Sequence, residues 1–169
     1  MLTQSEADAL LALNKEFVDW TPLLLPPGAD PTRELASEDH RETFLFDVHR
    51  ASLKLTKVKY QTRGKRIFVL ARIDIDGAPH TNPDGERISG THIHNYREGY
   101  EDKWAAELDP SLFSLPTDLG QAYIDFCRFC KSQTRPLFRL VGGERCRLPG
   151  FDRRIPRVAQ ERALREKLG

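Results

Sequence analysis

Between Thr43 and Ile75 the chain carries three strand-like runs in close succession, and this stretch limits the fold more than any other. The runs are Thr43 to Val48, Leu53 to Tyr60 and Arg66 to Ile75, and the turn-like Gln61-Thr62-Arg63-Gly64 precedes the third. They are rich in β-branched and aromatic residues, which favour a pleated, half-buried backbone. In the third run Ile67, Val69, Ala71, Ile73 and Ile75 fall on one face, and Phe68, Leu70, Arg72 and Asp74 fall on the other. An antiparallel meander is the economical arrangement.

The flanking segments supply helices. Thr3 and Glu6 form a capping-box pattern, and Ala7, Leu10, Leu11, Asn14, Phe17 and Val18 recur at helical spacing, which predicts an amphipathic helix over 3–18. Four prolines and a glycine between Trp20 and Pro31 predict an extended connector. Asp76-Gly77, Asn82-Pro83-Asp84-Gly85 and Ser89-Gly90 are turn signals that place a long functional loop between two core strands. Thr117 or Asp118 caps a second helix, 117–132, with an apolar side suited to packing on the sheet. A strand over Leu137 to Val141, a Gly142-Gly143 turn into 144–148, and a basic C-terminal helix over 156–168 complete the reading. The fold class is α+β, mainly antiparallel sheet. Residues 1–31 form the N-terminal helix and connector, 32–150 the α+β core domain, and 151–169 a basic tail. A chain of 169 residues suits one core.

The formal net charge of +1 hides strong segregation. Residues 1–50 hold ten acids against four basic groups, whereas Ala51 to Asp74 holds Lys54, Lys57, Lys59, Arg63, Lys65, Arg66 and Arg72 against one acid. Residues 75–118 are again acidic, and 119–169 are basic. Two consequences are open: the blocks pair within the fold, or Lys54, Lys57, Lys59, Arg63, Lys65 and Arg66 make a surface for RNA or for an acidic protein. The chain lacks a run of about 18 apolar residues, and its N-terminus is acidic where a signal peptide is basic, so neither a membrane partner nor secretion is expected. An odd number of cysteines, Cys127, Cys130 and Cys146, points to the reducing cytoplasm. Phosphate-binding glycine loops and nucleophile elbows are missing, so no nucleotide cofactor is expected.

Chemistry concentrates between Pro79 and Trp104. If Thr91 to Glu98 is a strand, His92, His94, Tyr96 and Glu98 share one face, spaced about 6.5–7 Å apart. Three readings of this face stand. In the first, His92 and His94 are an acid–base pair acting on a phosphodiester without metal, Tyr96 orients or stacks, and Arg97 with Lys103 steadies the phosphorane charge. In the second, His92 and His94 bind zinc with His80, or with a carboxylate such as Asp84 or Glu98. In the third, the histidines are ordinary cross-strand partners. Tyr96 to Tyr100 also suits base stacking. Cys127-x-x-Cys130 has the spacing of half a zinc site, with Cys146 as a third ligand, but its place late in a helix favours a core role.

The block P-H-T-N-P-D-G, followed by H-I-H-N-Y-R-E-G-Y and D-K-W-A, resembles a family of uncharacterised bacterial proteins, often prophage- or mobile-element-borne. The resemblance runs from about Phe44 to Cys130. It implies a context of toxin–antitoxin pairs, phage-defence effectors or anti-CRISPR inhibitors. The expectation is a toxin- or defence-type endoribonuclease, metal-independent and using the His-x-His face, whose partner is RNA or an acidic protein such as an antitoxin or defence component. The alternative from another class is a binding protein of the inhibitor type, anchored by Trp20, Tyr100 or Trp104. A zinc-dependent hydrolase using His80, His92 and His94 is the third.

Overall fold

The computed structural model of the chain describes residues 1–19, 21, 23–134 and 138–140. In chain order the elements are α1 (Gln4–Ala12), β1 (Lys15–Phe17), β2 (Leu23–Leu25), β3 (Thr32–Ser37), β4 (Thr43–Arg50), β5 (Val58–Gly64), β6 (Phe68–Ile75), β7 (His80–Thr81), β8 (Arg87–Ile88), β9 (His92–Asn95), β10 (Ala105–Glu107), α2 (Leu119–Phe129) and β11 (Phe138–Leu140). Seven of the strands form one antiparallel sheet in the order β1-β3-β4-β5-β6-β9-β10. The protein is therefore α+β with the meander expected from Thr43 onward. β7 and β8 form a short hairpin between β6 and β9, and β11 pairs in parallel with β2.

The first helix is capped as its sequence predicts: the Thr3 hydroxyl accepts from Glu6 N, and the Glu6 carboxylate accepts from Thr3 N at 2.8 Å. It stops at Ala12 instead of reaching residue 18, because Lys15–Phe17 turns into an edge strand paired with Leu35–Ser37. Phe17 gains a buried place by doing so, edge-on to Phe46 with ring centroids 5.5 Å apart. Phe46 is the hub of an aromatic cluster that also holds Tyr60, Tyr123 and Phe126, all within 6.3 Å of it. Tyr123 and Phe126 arrive from α2, whose N-cap Asp118 accepts from Gly120 N and Gln121 N. One sheet face is thus the core, covered by α1 and α2.

A β-bulge resets the alternation in β6. Thr62 pairs with Ala71 but Arg63 pairs with Val69, so Leu70 is the extra residue. Leu70 and Ala71 both enter the core, while Ile67, expected on the buried face, lies in the turn and is 69% exposed. The turn is centred on Lys65-Arg66 and closed by Ile67 N donating to Gly64 O, and Gln61 to Gly64 are strand. Both turn residues have positive φ, 48° and 65°, a region that costs a side chain about 1–2 kcal/mol. Substituting Lys65→Asn with Arg66→Gly, the pair favoured in such hairpins, is expected to stabilise the fold by about 1 kcal/mol. A thermal melt showing no gain would contradict this account of the turn.

The expected strand at 137–141 is described over Phe138–Leu140. The Gly142-Gly143 turn, the 144–148 segment, Cys146, the helix at 156–168 and Trp20 lie outside the described residues. Cys127 and Cys130 are buried free thiols in the core, and burial pushes the Cys130 thiol up to about 12, as a packing role requires. Among the described residues no helix is long and apolar enough to cross a membrane.

Candidate metal centre

The sheet face opposite the helices is polar, and strand register decides what meets on it. Asp74 of β6 lies across from His92 of β9, and Arg72 lies across from His94. Cross-strand neighbours on one face are about 4.5–5.5 Å apart at Cβ, so these four side chains form a single cluster. His92 and His94 do share a face, as their spacing predicts. Ile93 points the other way, into the core.

Sharing ends at Asn95, the last residue of β9. Tyr96 belongs to the core, where its hydroxyl accepts from Leu2 N at 2.9 Å and donates to Leu2 O at 2.7 Å. Glu98 is held by α1: its carboxylate accepts from Gln4 N, and its own N donates to Gln4 Oε1. Neither residue joins the histidines, which corrects the expectation of a four-residue face. Arg97 lies over the Trp104 ring, 4.1 Å from its centroid. Lys103 reaches the cluster only through its carbonyl, which accepts from His80 Nε2 at 2.8 Å. The guanidinium beside the histidines is that of Arg72. Asp84 accepts from Glu86 N within the β7–β8 turn and is not part of the cluster.

The tautomers follow from the partners. His92 Nδ1 lies 2.9 Å from Gly90 O and His94 Nδ1 lies 2.9 Å from Asp102 O. A carbonyl only accepts, so both Nδ1 atoms carry hydrogen, and in each neutral ring the lone pair is on Nε2. Arg72 Nη2, 2.8 Å from His94 Nε2, can only donate and agrees with that assignment. The two Nε2 atoms converge on one oxygen, Asp74 Oδ2, at 3.5 Å from His92 and 3.4 Å from His94. Burial pushes the Asp74 carboxyl up, but His94, Arg72 and Lys59 outweigh it and hold it at about 2. Burial and the neighbouring His94 lower the His92 pKa against the pull of Asp74. Near neutral pH an ionised carboxylate therefore faces two Nε2 atoms, which carry lone pairs in the neutral rings.

Those are the protonation states a metal requires of its ligands. Bonds of about 2.0–2.1 Å in a tetrahedron set neighbouring donor atoms about 3.3–3.4 Å apart, close to the two separations found. The donor atoms of Asp74, His92 and His94 all lie within 4.8 Å of one another. Each imidazole also donates its other N–H to a backbone carbonyl, the outer-shell pattern that fixes ligand orientation. Arg72 is the competitor at the centre: it holds His94 Nε2, donates to Asp74 Oδ2 at 3.2 Å, and is anchored on Asp102 through Nη1. His92 and His94 are 2% and 0% exposed, whereas the Asp74 side chain keeps 17%, so the approach is from the polar face at Asp74.

The β7–β8 flap places a third imidazole here. Asn82 is pinned to the strand edge, donating to Ala105 O at 3.0 Å and accepting from Ala105 N at 2.8 Å. The flap so fixed sets the His80 ring 4.7 Å from that of His94 and 5.8 Å from that of His92, centroid to centroid. With Nε2–H donated to Lys103 O, neutral His80 keeps its lone pair on Nδ1. The metal set expected from sequence, His80 with His92 and His94, thus differs from the converging one in its third member, Asp74. The alternation in β6 had put Asp74 on the polar face, but only strand register brings it to the histidines.

The six expected surface cations do not form one patch. Lys54 pairs with Asp76 at 2.6 Å, Arg63 with Asp47 at 2.7 Å, and Arg66 with Glu34 at 3.2 Å. Lys57 and Lys65 stand at opposite ends of β5, and Lys59 lies on its polar face. Much of the segregated charge is therefore paired within the fold.

The family comparison covers most of this structure. Residues 2–131 match the Family of unknown function (DUF6978). The chain belongs to this family. The match contains both helices of the described residues, the seven-stranded sheet and the whole histidine cluster. No curated protein and no solved structure matches the chain.

Proposed function

We propose that this member of the family is a metal-dependent hydrolase whose ion is held by Asp74 Oδ2, His92 Nε2 and His94 Nε2. The observation that carries the reading is the convergence of two imidazole Nε2 atoms, at 3.5 and 3.4 Å, on one ionised carboxylate oxygen. Three protein ligands leave a position for water, which is the catalytic rather than the structural pattern. A bound ion supplies a nucleophile by lowering the pKa of its water. Arg72 must then release His94 Nε2, and its ion pair with Asp102 keeps it beside the centre. His80 supplies the nearby imidazole for proton transfer.

A metal-free pair of His92 and His94 acting on RNA receives less support from the geometry. The His94 ring is fully buried, and its Nε2 already accepts from Arg72. RNA stays within the hydrolase reading as one possible phosphate ester, and a toxin or defence role as its setting. A cytoplasmic location belongs to the same reading and accords with the free thiols of Cys127 and Cys130. The binding-protein alternative is favoured by one feature, the surface cluster of Arg97 over Trp104 with the 44%-exposed Tyr100 edge-on to the same ring.

The test is hydrolysis of bis(p-nitrophenyl) phosphate by tag-free protein loaded with Zn²⁺, Mn²⁺ or Fe²⁺. Ion-dependent turnover should fall about 100-fold or more in Asp74→Asn, which keeps the side-chain shape and removes the charge. Turnover equal in wild type and Asp74→Asn, or indifferent to the ion, would overturn the proposal.

A further inference from the structure

The polar sheet face extends beyond the metal centre. Register sets His49, Lys59, Asp74 and His92 in one row across β4, β5, β6 and β9, and sets Asp47, Gln61, Arg72 and His94 in the next. Strands are about 4.8 Å apart, so the row from His49 to His92 spans roughly 14 Å. Over β3 to β5 this face holds an open groove of about 380 Å³ whose lining includes the carboxylates of Asp30 and Asp47 with His49, Lys59, Gln61 and Arg63. That volume is at the small end for ligand sites.

Most charge in the groove is already spoken for. Arg63 binds both oxygens of Asp47, each at 2.7 Å, and Gln61 Nε2 donates to the same carboxylate at 3.0 Å. Thr32 donates its hydroxyl to Asp47 as well, and His49 Nδ1 lies 3.5 Å from Asp30. Lys59 makes no hydrogen bond and no ion pair among the described residues. Its charge nonetheless acts on Asp74, so the ammonium belongs to the boundary between groove and centre. A half-buried lysine without a hydrogen-bond or ion-pair partner among the described residues, one strand from a candidate metal ligand, has the properties of an anion anchor. Lysine meets phosphate as a point charge, without the forked geometry that Arg63 already uses on Asp47.

We propose that the groove receives the phosphate of the substrate, with Lys59 as its anchor, so that the substrate class of the hydrolase is a phosphate ester laid along the row toward His92. This rests on the hydrolase reading for the word substrate, but the anion site is testable without it.

The experiment follows backbone amide shifts by NMR as inorganic phosphate is added to metal-free protein and to zinc-loaded protein, for wild type and for Lys59→Gln. Shifts are expected at His49, Lys59 and Gln61, and Lys59→Gln should weaken binding about tenfold, the loss of one charge-assisted contact. Lys59 is half-buried at a strand position and its side chain has no hydrogen-bond or ion-pair partner among the described residues, so Lys59→Gln should fold normally; the amide spectrum itself verifies this. If zinc fails to bind while phosphate still depends on Lys59, the hydrolase reading falls and the anion site stands. If phosphate binds equally well to Lys59→Gln, shifts residues away from the groove, or fails to bind at all, the anion site is overturned, whatever zinc does.

Discussion

Replacing His92 and His94 together by alanine is expected to lower zinc affinity at least 100-fold and to leave the secondary structure intact. Mutating even the outer partners of metal ligands costs 10–100-fold, and this change removes two of the three inner donors. The three donors belong to two strands, β6 and β9, whose pairing persists because Ile73 and Ile93 hold the other face in the core. His94 is fully buried, so its truncation leaves a void and lowers the melting temperature. Asp74→Asn separates the two effects, since it removes a ligand charge without creating a cavity. Titration calorimetry on the double variant and on Asp74→Asn should therefore agree on lost affinity while their thermal melts differ. Undiminished zinc binding in both would remove Asp74, His92 and His94 from consideration as ligands.

The second large effect is on stability. Lys15 is buried, and its ammonium donates to Leu11 O at 2.9 Å, Leu13 O at 2.8 Å and Cys130 O at 2.9 Å. Leu11 and Leu13 end α1, and Cys130 ends α2, so one cation serves two helix C-termini, where the backbone dipoles favour it. The Phe44 ring lies beneath it, 4.8 Å away at the centroid. Lys15→Met keeps the apolar stem and strands three carbonyls, for an expected loss of about 2–4 kcal/mol in urea unfolding. A loss below about 1 kcal/mol would show that water reaches those carbonyls. The pH dependence has a definite sign. Burial lowers the Lys15 pKa to about 8, whereas the unfolded chain has the ordinary lysine value of 10.5. Between those values the unfolded state holds the extra proton, so wild-type stability relative to Lys15→Met should rise as pH increases through that window. A difference that falls over the same range would contradict the burial.

How far these features were legible from sequence depends on how local their causes are. The capping box at Thr3, the Asn82-to-Gly85 turn and the meander from Thr43 rest on neighbouring residues, and all were readable. The placing of His92 and His94 on one face followed from a two-residue period, and it holds for as long as the strand does. It fails at Tyr96 because β9 ends at Asn95, and the tyrosine ring finds its partners in Leu2, 94 residues away. The helical spacing that joined Phe17 to α1 gave way to pairing with β3, a contact across 18 residues. Leu70 changed face because a bulge depends on how two strands register, which neither strand encodes alone. Asp74 and Asp102 were missed for the same reason. A carboxylate becomes a ligand or an anchor through its cross-strand neighbour, and only the pairing of β6 with β9 supplies one. Paired charges such as Arg63 with Asp47 likewise turned an apparent cationic ribbon into internal cross-links.

The position of a bound ion tests the account most directly. Crystals of tag-free protein equilibrated with zinc, measured on both sides of the zinc absorption edge, are predicted to show one anomalous peak about 2.0–2.2 Å from Asp74 Oδ2, His92 Nε2 and His94 Nε2, with Arg72 withdrawn from His94. A map without that peak, in which Arg72 still donates to His94 Nε2, would contradict the metal centre.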